Sequence, residues 1–183
     1  MKNTKIFETI RQQAIELDAL LHRQLEDSSK LELIAWKARR EDEGNEEKRK
    51  AFREQCLKSE QIKRSIENNK PFMAEKWYMT EYLYSDAHAY EVVEVYNENK
   101  MDVRQLKATE TPEAREARMA SFVPGGFVGH FDNSLQEWTF ESDESNPIYT
   151  VRRHKNGKFY RPGTRTCPFI MHDGPYEHYD FNY

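Results

Sequence analysis

Glycine and proline divide this chain near residue 70. Before that point stand one glycine, Gly44, and no proline; the other 6 glycines and all 7 prolines follow it. Both residues punctuate loops and interrupt helices, so the first stretch reads as helical and the rest as strands joined by turns. Aromatic residues split in the same way. Phe7, Trp36 and Phe52 precede residue 71, and the remaining 20 of 23 follow it, where aromatic side chains suit a pleated, half-buried surface. The expected fold class is α+β. An N-terminal antiparallel helical hairpin over residues 1–70 leads into a small antiparallel β-barrel over 71–183, SH3-like in size, with a short helix near 111–120.

Charge follows the same boundary. Residues 1–70 carry a net +2 and residues 71–183 a net −6. An acidic β-domain is poorly suited to general duplex-DNA binding, which rests on neutralised phosphates. With 33% charged and 37% hydrophobic residues and a mean hydropathy of −1.00, one large core is not expected. The 13% aromatic share argues against disorder, because disordered segments lack aromatics. No apolar run approaches the roughly 20 residues of a membrane span. The opening MKNTKIFETIRQQ lacks the apolar stretch of a signal peptide. Two cysteines in 183 residues make no disulfide framework, so the expected setting is a reducing cytoplasm, with no membrane partner.

Within the helical half, Phe7, Ile10, Ala14, Leu17 and Leu21 step by three and four, a heptad seam that fades at Gln24 and Ser28. Ser29 with Glu32 matches a capping box and predicts a break and restart near residues 27–29. Leu31, Ile34, Ala35 and Ala38 continue an apolar face. The charged run 39–50 is either a solvated helix surface or a turn. Phe52, Cys56, Ile62 and Ile66 form a weaker stripe that Pro71 is expected to stop. So thin a seam calls for another surface: the β-domain, a partner, or a second copy pairing as a homodimer through residues 7–25.

In the β half, strands are expected over 76–84, 87–96, 101–108, 127–131, 135–141, 148–155 and 158–160. Thr111 as cap with Pro112 at the first helical position marks the short helix. Asn156-Gly157 is the strongest hairpin signal in the chain. The aromatic C-terminus, Tyr179, Phe181 and Tyr183 alternating with Asp180 and Asn182, is expected to close the barrel as a strand.

Residues 84–92 (YSDAHAYEV), residues 122–130 (FVPGGFVGH), the Asn-Gly hairpin and the closing YDFNY resemble a family of small tailed-bacteriophage proteins over about residues 78–183. The resemblance does not reach the helical half. It implies a phage or prophage accessory protein expressed in bacterial cytoplasm, where such proteins often act on host factors, including defence systems. No catalytic residue is carried over by it.

The candidate sites are read from the residues themselves. Arg152, Arg153, Lys155, Lys158 and Arg161, with Arg165 nearby, concentrate positive charge in the acidic domain around Phe159 and Tyr160. Polar residues on both strand faces predict a projecting finger that could hold a phosphate, a nucleotide or single-stranded nucleic acid, or dock on an acidic protein surface. Gly125 and Gly126 could turn successive N–H groups toward an anion, though the spacing is no phosphate-loop motif. Asp86, His88 and His130 could bind a ligand or serve as acid and base if the barrel brings them together. His154, His172, His178 and Asp180 match no zinc spacing, so no metal or other cofactor is expected. Cys167 has no local nucleophile signature.

The reading that best fits these features is a non-enzymatic, phage-encoded accessory protein. It would inhibit or modulate a host protein or ribonucleoprotein by direct contact, a CRISPR-Cas or other defence inhibitor being the concrete instance. A nucleotide or signal-molecule sponge is the alternative. A nucleic-acid binder or a weak hydrolase built on Asp86, His88 and His130 comes third.

Overall fold

A computed structural model describes residues 4–42, 45–125 and 129–182. Two long helices come first: α1, Thr4–Glu41, and α2, Glu46–Met73. Strands β1 (Tyr78–Tyr82), β2 (Ala87–Asn97), β3 (Lys100–Gln105) and β4 (Lys107–Glu110) follow, then α3 (Pro112–Ala120), a single 3-10 turn (Asn133–Leu135), β5 (Trp138–Glu141), β6 (Ile148–Arg153), β7 (Phe159–Tyr160) and β8 (Phe169–His172). The expected helical hairpin and antiparallel barrel are both present. The chain divides into two compact units, residues 11–73 and residues 1–10 together with 74–183. The first turns of α1 thus count with the barrel, where Phe7 stacks on Trp77 with ring centroids 4.6 Å apart.

In the helical unit α1 runs without the break expected at residues 27–29. Ser28 is buried and shares a hydrogen bond of 2.9 Å with Ser59 of α2, while Gln55 Nε2 donates to the Ser28 hydroxyl at 2.7 Å. The expected cap, Ser29, is exposed on the continuing helix, and it is its neighbour Ser28 that the hairpin holds in place. The register of the seam also differs from the expected one. Ala14 and Leu21 are buried and Ile10 is half-buried as expected, but Arg11, Asp18 and Leu25 are half-buried beside them, while Leu17 is exposed. Asn69 donates to the Ala14 carbonyl at 2.7 Å. Pro71 does not end α2: it lies in the last turn, and its missing N–H forfeits one bond, to the Glu67 carbonyl, two residues before the helix ends. Arg11 Nε donates to the Met73 carbonyl at 2.9 Å and so supplies a C-terminal cap.

In the barrel unit six strands close in the order β1-β2-β3-β6-β7-β8, all antiparallel, and β4 and β5 form a separate two-stranded ribbon. Met79, Ala89, Val95, Met101, Val103, Val151, Phe159 and Phe169 fill the interior. Period-two alternation brings them to one face of each strand. Residue Leu106 interrupts the single strand expected over 101–108. β8 was not anticipated, and it pairs with β1 from Tyr78↔His172 to Glu81↔Phe169, so it, not the C-terminus, closes the barrel. The tail touches β2 through one bridge, Ala87↔His178, and then turns away as an irregular strap. The expected strand over 127–131 falls partly on undescribed residues; beside it Val123 and His130 make a single bridge. α3 begins as expected, with the Thr111 hydroxyl accepting from Ala114 N–H and Pro112 in the first turn. Among the described residues no helix is long and apolar enough to cross a membrane.

Candidate functional site

The β6–β7 hairpin turns at Asn156-Gly157, with Gly157 at φ +80°, the left-handed conformation this turn demands. Asn156 Oδ1 accepts from Lys158 N–H at 3.1 Å and fixes the loop. Residues 152–158 are exposed without interruption, because only Val151, Phe159 and Tyr160 at the hairpin base reach the core. Arg152, Lys155, Lys158 and Arg165 have no ion-pair partner among the described residues. Arg153 lies over the Phe159 ring at 6.0 Å and donates to the Gly157 carbonyl. A shallow hollow of about 520 Å³ beside the turn is lined by His154, Lys155, Asn156, Tyr160 and Arg165. Within it the His154 and Tyr160 rings lie 4.8 Å apart.

Arg161 does not belong to this finger. Its Nη2 donates to Glu81 Oε2 at 2.7 Å and to the Tyr90 hydroxyl at 3.0 Å. Its guanidinium lies 4.0 Å from the Tyr149 ring centroid. Tyr90 in turn donates to Glu81 at 2.8 Å. Burial, then the bond to Glu81, pushes the Tyr90 phenol well above its ordinary value, so it stays protonated as that donor. A charge engaged so closely is structural, and the finger is smaller than the sequence suggests.

The cluster of Asp86, His88 and His130 is not assembled either. Asp86 Oδ1 accepts from Asp180 N–H at 2.9 Å and anchors the C-terminal strap. His88 Nδ1 and Glu177 Oε1 are 2.8 Å apart, and Glu177 Oε2 accepts from Ala89 N–H at 2.7 Å. Glu177 is buried, and no local pattern announces it as the partner of a histidine 89 residues earlier. His130 is exposed and joins Val123 through backbone bonds. Among the described residues no hydrogen bond or ring contact links it to Asp86 or His88. Gly125 has neither a positive φ nor a neighbour that an added Cβ would meet, and Gly126 lies outside the described residues. Gly129 is the glycine with a steric role there, since a Cβ would strike the Phe122 ring.

The other histidines are also placed by packing. His172 meets the Tyr82 hydroxyl at 3.1 Å, and burial lowers its pKa. His178 bridges Ala87 through its backbone, and Asp180 accepts from Asn133. A cleft of about 710 Å³ that the sequence did not suggest lies between β2–β3 and the β4–β5 ribbon, with Val92, Leu106, Trp138 and Phe140 among its walls. Its rim charges Arg104 and Glu91 satisfy each other at 2.8 Å, and Lys76, Thr139 and Ser142 line the same cleft.

No family model, curated protein or solved structure matches this chain. The functional reading therefore rests on surface chemistry.

The His88–Glu177 contact makes a pH prediction. The hydrogen bond His88 makes to Glu177 holds the histidine's pKa above its ordinary value, against the opposing effect of burial. A raised folded-state value means that the stabilisation is complete below the unfolded value of about 6.5 and is lost as pH rises through the folded one. The melting temperature of the wild type is expected to fall as pH rises across that window, and Glu177→Gln is expected to remove this dependence while keeping the bond from Ala89. Thermal melts of both proteins on a pH series check it; parallel profiles would show that the contact is not protonated imidazolium to carboxylate.

Proposed function

We propose that this protein is a non-enzymatic binding protein that acts by occupying another macromolecule, with the basic β6–β7 hairpin as its contact surface. The observation that carries the reading is the uninterrupted exposure of residues 152–158, with no ion-pair partner for Arg152, Lys155 or Lys158 among the described residues, in a chain segment of net charge −6 over residues 71–183. A polyanion spread over the whole barrel would be repelled. A compact acidic patch on a protein matches the finger while avoiding the rest, and such complementarity sets orientation and association rate. The resemblance to tailed-bacteriophage proteins supports a host protein or ribonucleoprotein of the bacterial cytoplasm as that partner, and inhibition of a defence system such as CRISPR-Cas as the concrete case.

Charge reversal tests it. Wild type is expected to retain one host component in near-stoichiometric amount from bacterial lysate at low salt, and to release it as salt rises. The triple variant Arg152→Glu, Lys155→Glu, Lys158→Glu is expected to lose that component with an unchanged circular-dichroism spectrum. A partner retained equally by the variant, or no partner at all, would refute the proposal.

The hollow beside the turn supports a second reading, a nucleotide or signal-molecule sponge. The exposed His154 ring, backed by Tyr160, offers a face to a base, and Lys155 and Arg165 offer charge to its phosphates. Titration calorimetry with linear and cyclic nucleotides checks this, and absence of heat with all of them removes it.

A further inference from the structure

α1 carries a second heptad seam that its own hairpin leaves open. Leu17, Leu20, Leu31 and Ile34 are 46%, 51%, 54% and 62% exposed. Together with Gln24, Asp27 and Ala38 they recur at alternating steps of three and four over residues 17–38. At about 100° per residue this stripe lies roughly a quarter turn around the helix from the buried stripe through Ala14, Leu21 and Ser28. A helix in a four-helix bundle faces two neighbours at about that separation. The hairpin supplies one neighbour, α2, and two of the four helices.

We infer that the open seam pairs with the same seam of a second copy, antiparallel, to complete a four-helix bundle. The layers of that arrangement are self-complementary. Aligning Leu20 with Leu31 of the partner subunit sets Leu17 against the partner's Ile34, a first seam position against a fourth in every layer, as antiparallel coiled coils require. The same alignment places Gln24 against the partner's Asp27, twice, about the two-fold axis. The amide of Gln24 donates to that carboxylate. Parallel pairing sets Asp27 against Asp27, like charges in a low-dielectric layer, so the polar layer selects direction. On the open flank Glu16 meets the partner's Lys37 at each end, while nearer the axis Arg23 faces the partner's Lys30, a like-charge pair that Asp27, 3.4 Å from Lys30 on its own helix, offsets in part. The seam is about 32 Å long. The α2 flank beside it offers the polar Lys58, Gln61 and Ser65 and one half-buried aliphatic side chain, Ile62. Contact through 7–25, the homodimer expected from the sequence, is displaced because Phe7, Ala14 and Leu21 are buried within the chain. The inference does not depend on the basic hairpin, whose partner is a different molecule.

Sedimentation equilibrium of the intact protein is the test. A concentration-dependent dimer is expected. Leu31→Glu, at an exposed position that leaves the hairpin core intact, is expected to weaken it by at least about tenfold. Gln24→Glu faces the partner's Asp27 and is expected to weaken it several-fold, whereas Gln24→Lys preserves or strengthens it. Direction is read separately. In a background with Cys56→Ser and Cys167→Ser, an oxidised mixture of Gln24→Cys and Asp27→Cys proteins is expected to cross-link between the two, and neither alone with itself. A monomer at every concentration, a dimer indifferent to Leu31→Glu, or self-linking of Gln24→Cys alone would each overturn the inference. Charge reversal at the hairpin is expected to leave the dimer unchanged, so failure of one proposal is distinguishable from failure of the other.

Discussion

Arg161→Ala is expected to destabilise the barrel by about 3 kcal/mol, one of the two largest single-residue effects in this protein. The substitution leaves the Glu81 carboxylate, only 6% exposed, without its counter-charge. The desolvation of that carboxylate is then uncompensated, and breaking a buried pair from one side costs more than the pair itself contributes. Tyr90 still donates to Glu81, but a neutral hydroxyl cannot replace a guanidinium at 2.7 Å. The packing of Arg161 on Tyr149 is lost as well. The side chain of Arg161 is about one-third exposed, so water relieves part of the penalty and the lower end of the range for buried pairs applies. At this chain length the loss corresponds to a fall in melting temperature of roughly 6–12 °C. The double variant Glu81→Met, Arg161→Met removes both charges and is expected to recover most of it. Urea titration of wild type, single and double variants measures the coupling. An Arg161→Ala protein within 1 kcal/mol of wild type, on the same scale of about 3, would mean that Glu81 is solvated or neutral.

The second large effect is expected at Arg118. Its Nε and Nη2 donate to the two oxygens of Glu110, each at 2.8 Å, with both side chains no more than 10% exposed. Its guanidinium also sits 3.5 Å from the Phe181 ring centroid and 5.5 Å from that of Phe131. One side chain thus ties α3 to the β4–β5 ribbon and to the C-terminal strap. Arg118→Ala is expected to cost about 3–5 kcal/mol locally. Arg118→Lys is expected to recover only part, because an ammonium cannot make the two parallel bonds or stack as a plane. The strap holds itself mainly by side-chain bonds to backbone: Phe131 N–H to Asn182, Tyr179 N–H to Gln136 and Asp180 N–H to Asp86. Its opening is therefore local, and the effect appears first as faster amide exchange at Phe131, Tyr179 and Asp180 and as cleavage near the C-terminus. The bond from Arg118 holds the Glu110 carboxyl below its ordinary value. That stabilisation is present above the unfolded value and lost as pH falls through the lower folded one. Wild-type strap protection should thus weaken in acid; Arg118→Ala should lack that acid dependence. Unchanged exchange in Arg118→Ala would show that the tail is held without it.

The Arg161–Glu81 pair and the His88–Glu177 contact explain why the finger and the acid–base cluster are smaller in the fold than in the sequence. Arg161 reads in sequence as one more cation beside Arg152, Arg153, Lys155 and Lys158. Its partner, Glu81, lies 80 residues away and meets it only because β1 crosses the barrel beside β8. Asp86 and His88 read as a reactive pair beside a turn, yet each is bound by the C-terminal strap, which itself was expected to be a strand. Alternating aromatics look the same in a strand and in a strap whose rings pack on Trp138, His88 and Arg118. β8 escaped notice because four residues after Cys167-Pro168 are too short to show a period.

The seam of α1 shows the limit differently. Ile10 and Leu17 are more apolar than Arg11 and Asp18, and hydrophobicity alone assigns the inward face to them. The hairpin turns the helix one residue further, so that Arg11 caps α2 and Ser28 meets Ser59. Six aliphatic residues of α1 stand outside: Ile15, Leu17, Leu20, Leu31, Leu33 and Ile34.

Interactions within a few residues of one another were legible from the chain alone: the helical and β-rich division near residue 70, the Thr111-Pro112 helix start, the Asn156-Gly157 turn and its exposed basic tip. Each depends on backbone preferences that neighbours in sequence enforce. Strand closure, the rotation of α1 and the pairing of Glu81, Glu110 and Glu177 were decided by the tertiary structure. A buried carboxylate's state depends on which cation the fold delivers to it, and that follows from register and crossing rather than from local composition.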